Sequence, residues 1–139
     1  MKTKLSFAAR ILLGLIFFVF GLMGLLNLYP PPTDLPEKLM AFTKGLMATG
    51  YFFPFLKVTE TLCGLLLLSG IFVPLALVVL APIILNIFML HAFLEPSGLP
   101  LALFVGLLEI HLAFFSETFS PIVKQIFRCP KMEAKKAGK

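Results

Sequence analysis

Glu60 lies in PFLKVTETLCGLLLLSGIF, residues 54–72, a run long enough to cross a bilayer. A carboxylate there is costly unless it is paired, faces other helices or lines a wet cavity. Lys57, Glu60 and Gly64 stand at i, i+3 and i+7, so they share one helical stripe and Lys57 can pair with Glu60. Two uses follow. The pair can fix the register of a bundle, or Glu60 can act as proton acceptor or ligand anchor in a polar pocket.

His91 and Glu95 are i, i+4, a spacing that suits a hydrogen-bonded pair or two metal ligands. Carboxylate-bridged metal sites in bundles use Glu-x-x-His, which is missing, so no metal is expected. Asn86 is about 140° from His91 on a helical wheel, which keeps both from pointing squarely into one narrow pocket. Glu109 and His111 are about 200° apart. With Glu109 turned inward, His111 faces lipid or a neighbouring chain. An unpaired carboxyl at mid-membrane favours its neutral form. With Asn27 at the far end of the first apolar run, the pocket candidates are Glu60, His91, Glu109, Lys57, Asn27 and Asn86. No phosphate loop, nucleophile triad or zinc-ligand spacing is present. Cys63 and Cys129 form no CxxC and are expected to be free thiols.

These residues need helices to hold them, and the composition says in what solvent. Of 139 residues 59% are hydrophobic and 14% charged, with mean hydropathy +1.00. A soluble domain carries about 25% charged residues. The expected class is all-α, a polytopic membrane protein with a four-transmembrane-helix bundle. Its spans fall at about 8–28, 52–72, 74–94 and 99–119, within a domain 1–123 followed by a basic tail 124–139.

The first span follows a basic start and is too long for a signal peptide, so it is expected to stay uncleaved. Arg10, Gly14 and Gly21 share one face of it, where a second helix can approach closely, and Gly24 lies partly round from them. YPPPTDLP (29–36) cannot be helical throughout and is expected to be extended. Asp34 and Glu37 have capping-box spacing, which predicts a short amphipathic helix at about 35–49, with Leu39, Met40, Phe42, Leu46 and Met47 on its apolar side. Thr61–Leu94 contains 34 residues without a formal charge, too many for one crossing, so it folds back between Gly70 and Pro74. Pro54, Pro74 and Pro100 suit first turns, whereas Pro82 falls inside a span and is expected to kink it. From Pro121 a short interfacial helix and a frayed end are expected.

The net charge is +5, but half of the twelve Lys and Arg lie after Pro121, which fits membrane topology rather than nucleic-acid binding. Lys2, Lys4 and Arg10 fall on the same side as that tail, so both termini are expected in the cytoplasm.

Several stretches together resemble the DoxX family of small bacterial four-helix membrane proteins. They are RILLGLIFFVFGLMGLLN, with Arg10 before a Gly-punctuated span, and ETLCGLLLLSGIFVPLAL, with Glu60 before a Leu-rich span and a Gly-x-x-x-Pro hairpin. ATGYFFPFLK and LAPIILNIFMLHAFLEPSGLPLAL resemble a short subgroup, and the likeness covers about residues 8–117. FFSETFSPIVKQ stands where many members have a small-residue, Ser-x-Asp ending. The resemblance implies a multi-pass protein of the bacterial inner membrane. Its named members are membrane subunits linked to quinone-dependent sulfur oxidation or to thiol-stress complexes. No redox group is encoded, so the expectation is a subunit that binds a lipophilic ligand such as a quinone and docks redox partners, or pairs with itself through the spans. A non-catalytic membrane scaffold or assembly factor is the alternative. A small-solute or proton carrier comes third, disfavoured because no inverted repeat is evident.

Overall fold

The computed structural model describes residues 2–28 and 34–138. Most of the proline stretch expected to be extended therefore lies outside the described residues. The helices are α1 (Lys2–Leu25), α2 (Glu37–Ala48), α3 (Phe52–Ser69), α4 (Val73–Phe93), α5 (Leu99–Ile110), α6 (Ser120–Gln125) and α7 (Pro130–Ala137). A 3-10 turn, Pro96–Gly98, leads into α5, and a π-helical turn, His111–Phe115, continues it. Among the described residues four stretches are long and apolar enough to cross a membrane: Lys2–Leu25, Phe52–Ser69, Val73–Phe93 and Pro96–Phe115. The chain is thus an all-helical membrane protein. Its outer faces carry Leu15, Phe20, Leu62, Leu85 and Leu107, all exposed, while Leu13, Leu67, Leu77, Leu80 and Leu112 are sealed inside. That distribution suits lipid around a packed centre.

The hairpin between α3 and α4 forms where the sequence places it. Gly70 caps α3 at φ +76°, a left-handed conformation that glycine adopts without penalty. Phe72 follows at φ +52°, and Pro74 enters the first turn of α4. Pro82 lies inside α4, which continues to Phe93.

Other boundaries moved. The capping box is not made: α2 starts at Glu37 after Pro36, and no side chain caps it. Leu35 precedes that proline and is pushed away from helical angles, so a start near 35 is blocked. Leu39 is buried under α2 and Phe42 half-buried, but Met47 is exposed. The fourth span stops at Phe115, not 119, because Ser116 is extended (ψ 128°) and the chain turns into α6. The expected frayed end contains α7, and the exposed Arg128 before it pairs with Glu133 of its first turn at 2.7 Å.

α1 and α3 form the tightest pair. A Cβ on Gly14 would stand 2.9 Å from the Leu67 Cβ, one on Gly21 2.7 Å from the Thr61 backbone nitrogen, and one on Gly64 would strike the Phe18 backbone. Gly24 belongs to this seam too, since a Cβ there would collide with the Lys57 stem. Its offset on an ideal wheel is made up by the length of the lysine that meets it.

Arg10 locks the other end of the seam. Its Nη1 donates to the Leu67 carbonyl at 2.6 Å and lies 3.4 Å from that of Leu68, while the guanidinium sits 5.2 Å above the Phe7 ring. These carbonyls belong to the last turn of α3, which has no intrahelical donors left and carries the negative end of the helix dipole. Arg10→Met is expected to destabilise the protein by about 2 kcal/mol, the scale of a charge-assisted hydrogen bond. Unfolding in mixed micelles measures it, and Arg10→Lys should recover only part of the loss, since one ammonium reproduces the fork poorly.

Candidate functional site

Among the described residues two cavities open on the bundle, and five of the six candidate residues line one or the other. The first is polar at one side, has a volume of about 340 Å³ and is lined from α1 to α5. Lys57, Glu60, Asn86 and His91 all reach it, among apolar walls that include Phe17, Phe42, Phe53 and Leu90. The α2 residues Phe42, Thr43 and Leu46 form one of those walls, so the amphipathic helix lies over the bundle where it covers the charged pair.

Glu60 is 4% exposed, and its Oε2 accepts from the Lys57 ammonium at 2.9 Å. The ammonium also stands 5.5 Å from the Phe53 ring centre. A partner at i−3 and the close approach of α1 to this face of α3 explain how α3 keeps a carboxylate in the bundle.

His91 Nδ1 lies 3.2 Å from the Glu95 carbonyl oxygen and 3.7 Å from the Glu95 carboxylate. A carbonyl can only accept, so Nδ1 carries the proton and Nε2 is left as an acceptor in the neutral ring. The ring also packs against Gly98, where any Cβ would collide with it.

Asn86 and His91 line the same cavity, though the wheel keeps both from pointing squarely into a narrow one. The cavity wall on α4 is wide: Ile87 and Leu90 fill the arc between them. Asn86, itself exposed, sits at the rim of that arc.

Asn27 is not at the site. It is exposed, takes φ +53° and ends α1 with its backbone N–H 3.4 Å from the Gly24 carbonyl. Asparagine tolerates that left-handed angle better than most residues, which accounts for its place.

Glu109 lines the second cavity, about 440 Å³ between α4, α5 and α6. Ala102 is on the wall of both. His111 does not face outward: its Nε2 is 3.3 Å from the Ser6 hydroxyl of α1, inside the bundle. A π-helical turn begins at His111, but Glu109 turned to α4 and α6 and His111 turned to α1 still stand on different sides, as the wheel has them; the side taken for lipid is occupied by α1. Nothing in HLAFF signals that turn.

Among the described residues no three His, Cys, Asp or Glu gather as a metal site. Cys63 is buried and Cys129 exposed, and both are free thiols.

The arrangement of α1 to α4, with the Gly-lined seam, the Glu60 stripe and the Gly70–Pro74 hairpin, coincides with a family match. The DoxX family model matches residues 5–93. The chain belongs to the DoxX family. No curated protein and no solved structure matches it. The DoxX match contains Lys57, Glu60, Asn86 and His91, the polar lining of the first cavity, and stops before α5 and Glu109.

Proposed function

We propose that this DoxX protein is a multi-pass subunit of the bacterial inner membrane, with both termini cytoplasmic, that holds the head of a lipophilic ligand such as a quinone and docks redox partners. The observation carrying this reading is the first cavity, where Glu60, Lys57, His91 and Asn86 meet apolar walls in one space. Its volume falls in the usual range of about 300–1,000 Å³ for small-molecule sites. Asn86 at the rim can donate to a ring carbonyl, and His91 Nε2 can accept a proton from a ring hydroxyl. Such a pair suits a head that alternates between carbonyl and hydroxyl. A bound quinone would supply two-electron redox chemistry that no side chain here provides. The residues' own part is to orient the head, exclude water and hold one proton at His91 Nε2.

The basic residues support the orientation, since Lys2, Lys4, Arg10 and the six in the tail fall on the side opposite α2. The cavity then opens toward the outer half of the membrane.

The scaffold reading draws on the same Lys57–Glu60 pair, which also suits a purely structural register lock. The two readings part on ligand binding. Decylubiquinone added to the purified protein is expected to raise its Tm, by about 2.7 kcal/mol of stabilisation at a hundredfold excess over Kd. Asn86→Leu and His91→Leu are expected to remove that rise while leaving the ligand-free Tm within a few degrees. An unchanged Tm at saturating quinone would favour the scaffold.

A further inference from the structure

The second cavity has different chemistry. Its walls are apolar side chains such as Leu77, Ile84, Leu103 and Phe127, and Glu109 is the carboxyl among them. Glu109 is 7% exposed, and its Oε2 is sealed with no hydrogen-bond partner among the described residues. Buried polar atoms are nearly always partnered, so this one is short of a group to bond. An ionised carboxylate without a partner would cost far more than the acid, so Glu109 is held as the acid, and rotation of its carboxyl group can present the hydroxyl to the cavity that the residue lines. Gly106, one turn before it, also lines the cavity, and a Cβ there would meet nothing within 4 Å. The glycine leaves room beside the acid. The π-helical turn that begins two residues after Glu109 is a feature common at functional sites.

Depth narrows the partner. Glu109 is ten residues into α5, about 15 Å of rise from Leu99, which places it near the middle of a hydrocarbon core about 30 Å thick. Ester carbonyls of phospholipids lie at the edges of that core. A molecule that reaches Glu109 must carry its polar atom into the hydrocarbon.

We infer that the Glu109 cavity between α4, α5 and α6 binds a neutral lipophile through a carbonyl oxygen that accepts from the Glu109 acid. The site is separate from the Lys57–Glu60 cavity and does not depend on what that cavity holds.

The test uses the full-length protein in micelles with 2-undecanone, and with undecane as the same body without an acceptor. Infrared difference spectra follow the carboxylic acid C=O band, assigned by its loss in Glu109→Gln. The ketone is expected to move that band and to raise Tm, with undecane moving neither as far. Glu109→Leu is expected to abolish the preference for ketone over alkane. Gly106→Leu is expected to block the ketone effects by filling the open space while keeping the ligand-free Tm. Asn86→Leu should leave every ketone response intact, which separates this site from the first. Equal responses to ketone and alkane would overturn the inference, as would a ketone preference that survives in Glu109→Leu. The same band shift with dioleoylphosphatidylglycerol alone would overturn the assignment to a free lipophile and give the site to bilayer lipid.

Discussion

Gly64→Leu is expected to cost 3 kcal/mol or more, at or beyond the upper end of the roughly 1–3 kcal/mol typical of overpacking. The reason is what the new side chain would meet. At Gly64 it meets the Phe18 backbone and, 2.8 Å away, the Gly14 carbonyl oxygen, so no rotamer change in α1 can make space. The helices would have to separate along the seam that also seats Lys57 against Gly24 and Arg10 against α3. Gly45→Ala is the control. It sits on α2 with open space around it, and the change is expected to be neutral or stabilising by about 0.5–1 kcal/mol. Unfolding in mixed micelles measures both. A Gly64→Leu protein as stable as Gly45→Ala would mean that α1 and α3 do not meet closely.

Glu60→Leu is expected to cost about 3–5 kcal/mol, the scale for breaking a buried ion pair from one side. The carboxylate is 6% exposed and the ammonium 14%, so the loss leaves a cation shielded from water. Much of that cost belongs to a buried ammonium that has lost its carboxylate rather than to the pair. Replacing both, as Lys57→Leu with Glu60→Leu, is therefore expected to recover most of the stability, because an apolar pair is often as good or better. The coupling from this double-mutant cycle should exceed about 1 kcal/mol, beyond the additivity seen at independent sites. Additive losses would mean the two side chains do not act as a pair. The double variant is also informative about function: a protein restored in stability but blind to decylubiquinone would separate the ligand site from the register lock.

The parts of this structure that were readable from sequence are those set by local chemistry. The four spans follow from apolar length, and the Gly70–Pro74 hairpin from a left-handed glycine and a first-turn proline. The Lys57–Glu60 contact follows from i, i+3 spacing, and the face shared by Arg10, Gly14 and Gly21 from spacings of four and seven. What could not be read depends on how helices rotate against one another. Whether Glu60 and Glu109 meet is decided by the angle of α5 against α4, and the structure puts them in different cavities. Asn86 and His91 could be placed on a wheel, but the width of the cavity that takes both could not. His111 was misplaced because a wheel gives its angle from Glu109 but not that α1 occupies the opposite side of α5. Arg10 was legible as a residue on the packed face, not as the group that closes the last turn of α3, because its acceptors lie 57 and 58 residues away.

The central claim is that neighbouring helices shelter Glu60 in a space that takes the head of a lipophile. Photo-crosslinking with an azido-decylubiquinone, read out residue by residue by mass spectrometry, tests it most directly. Label is expected on cavity residues such as Leu56, Leu90 and His91, and it should disappear with excess unlabelled quinone. Label spread over lipid-facing Phe55, Leu62 and Phe93, undiminished by competitor, would contradict it.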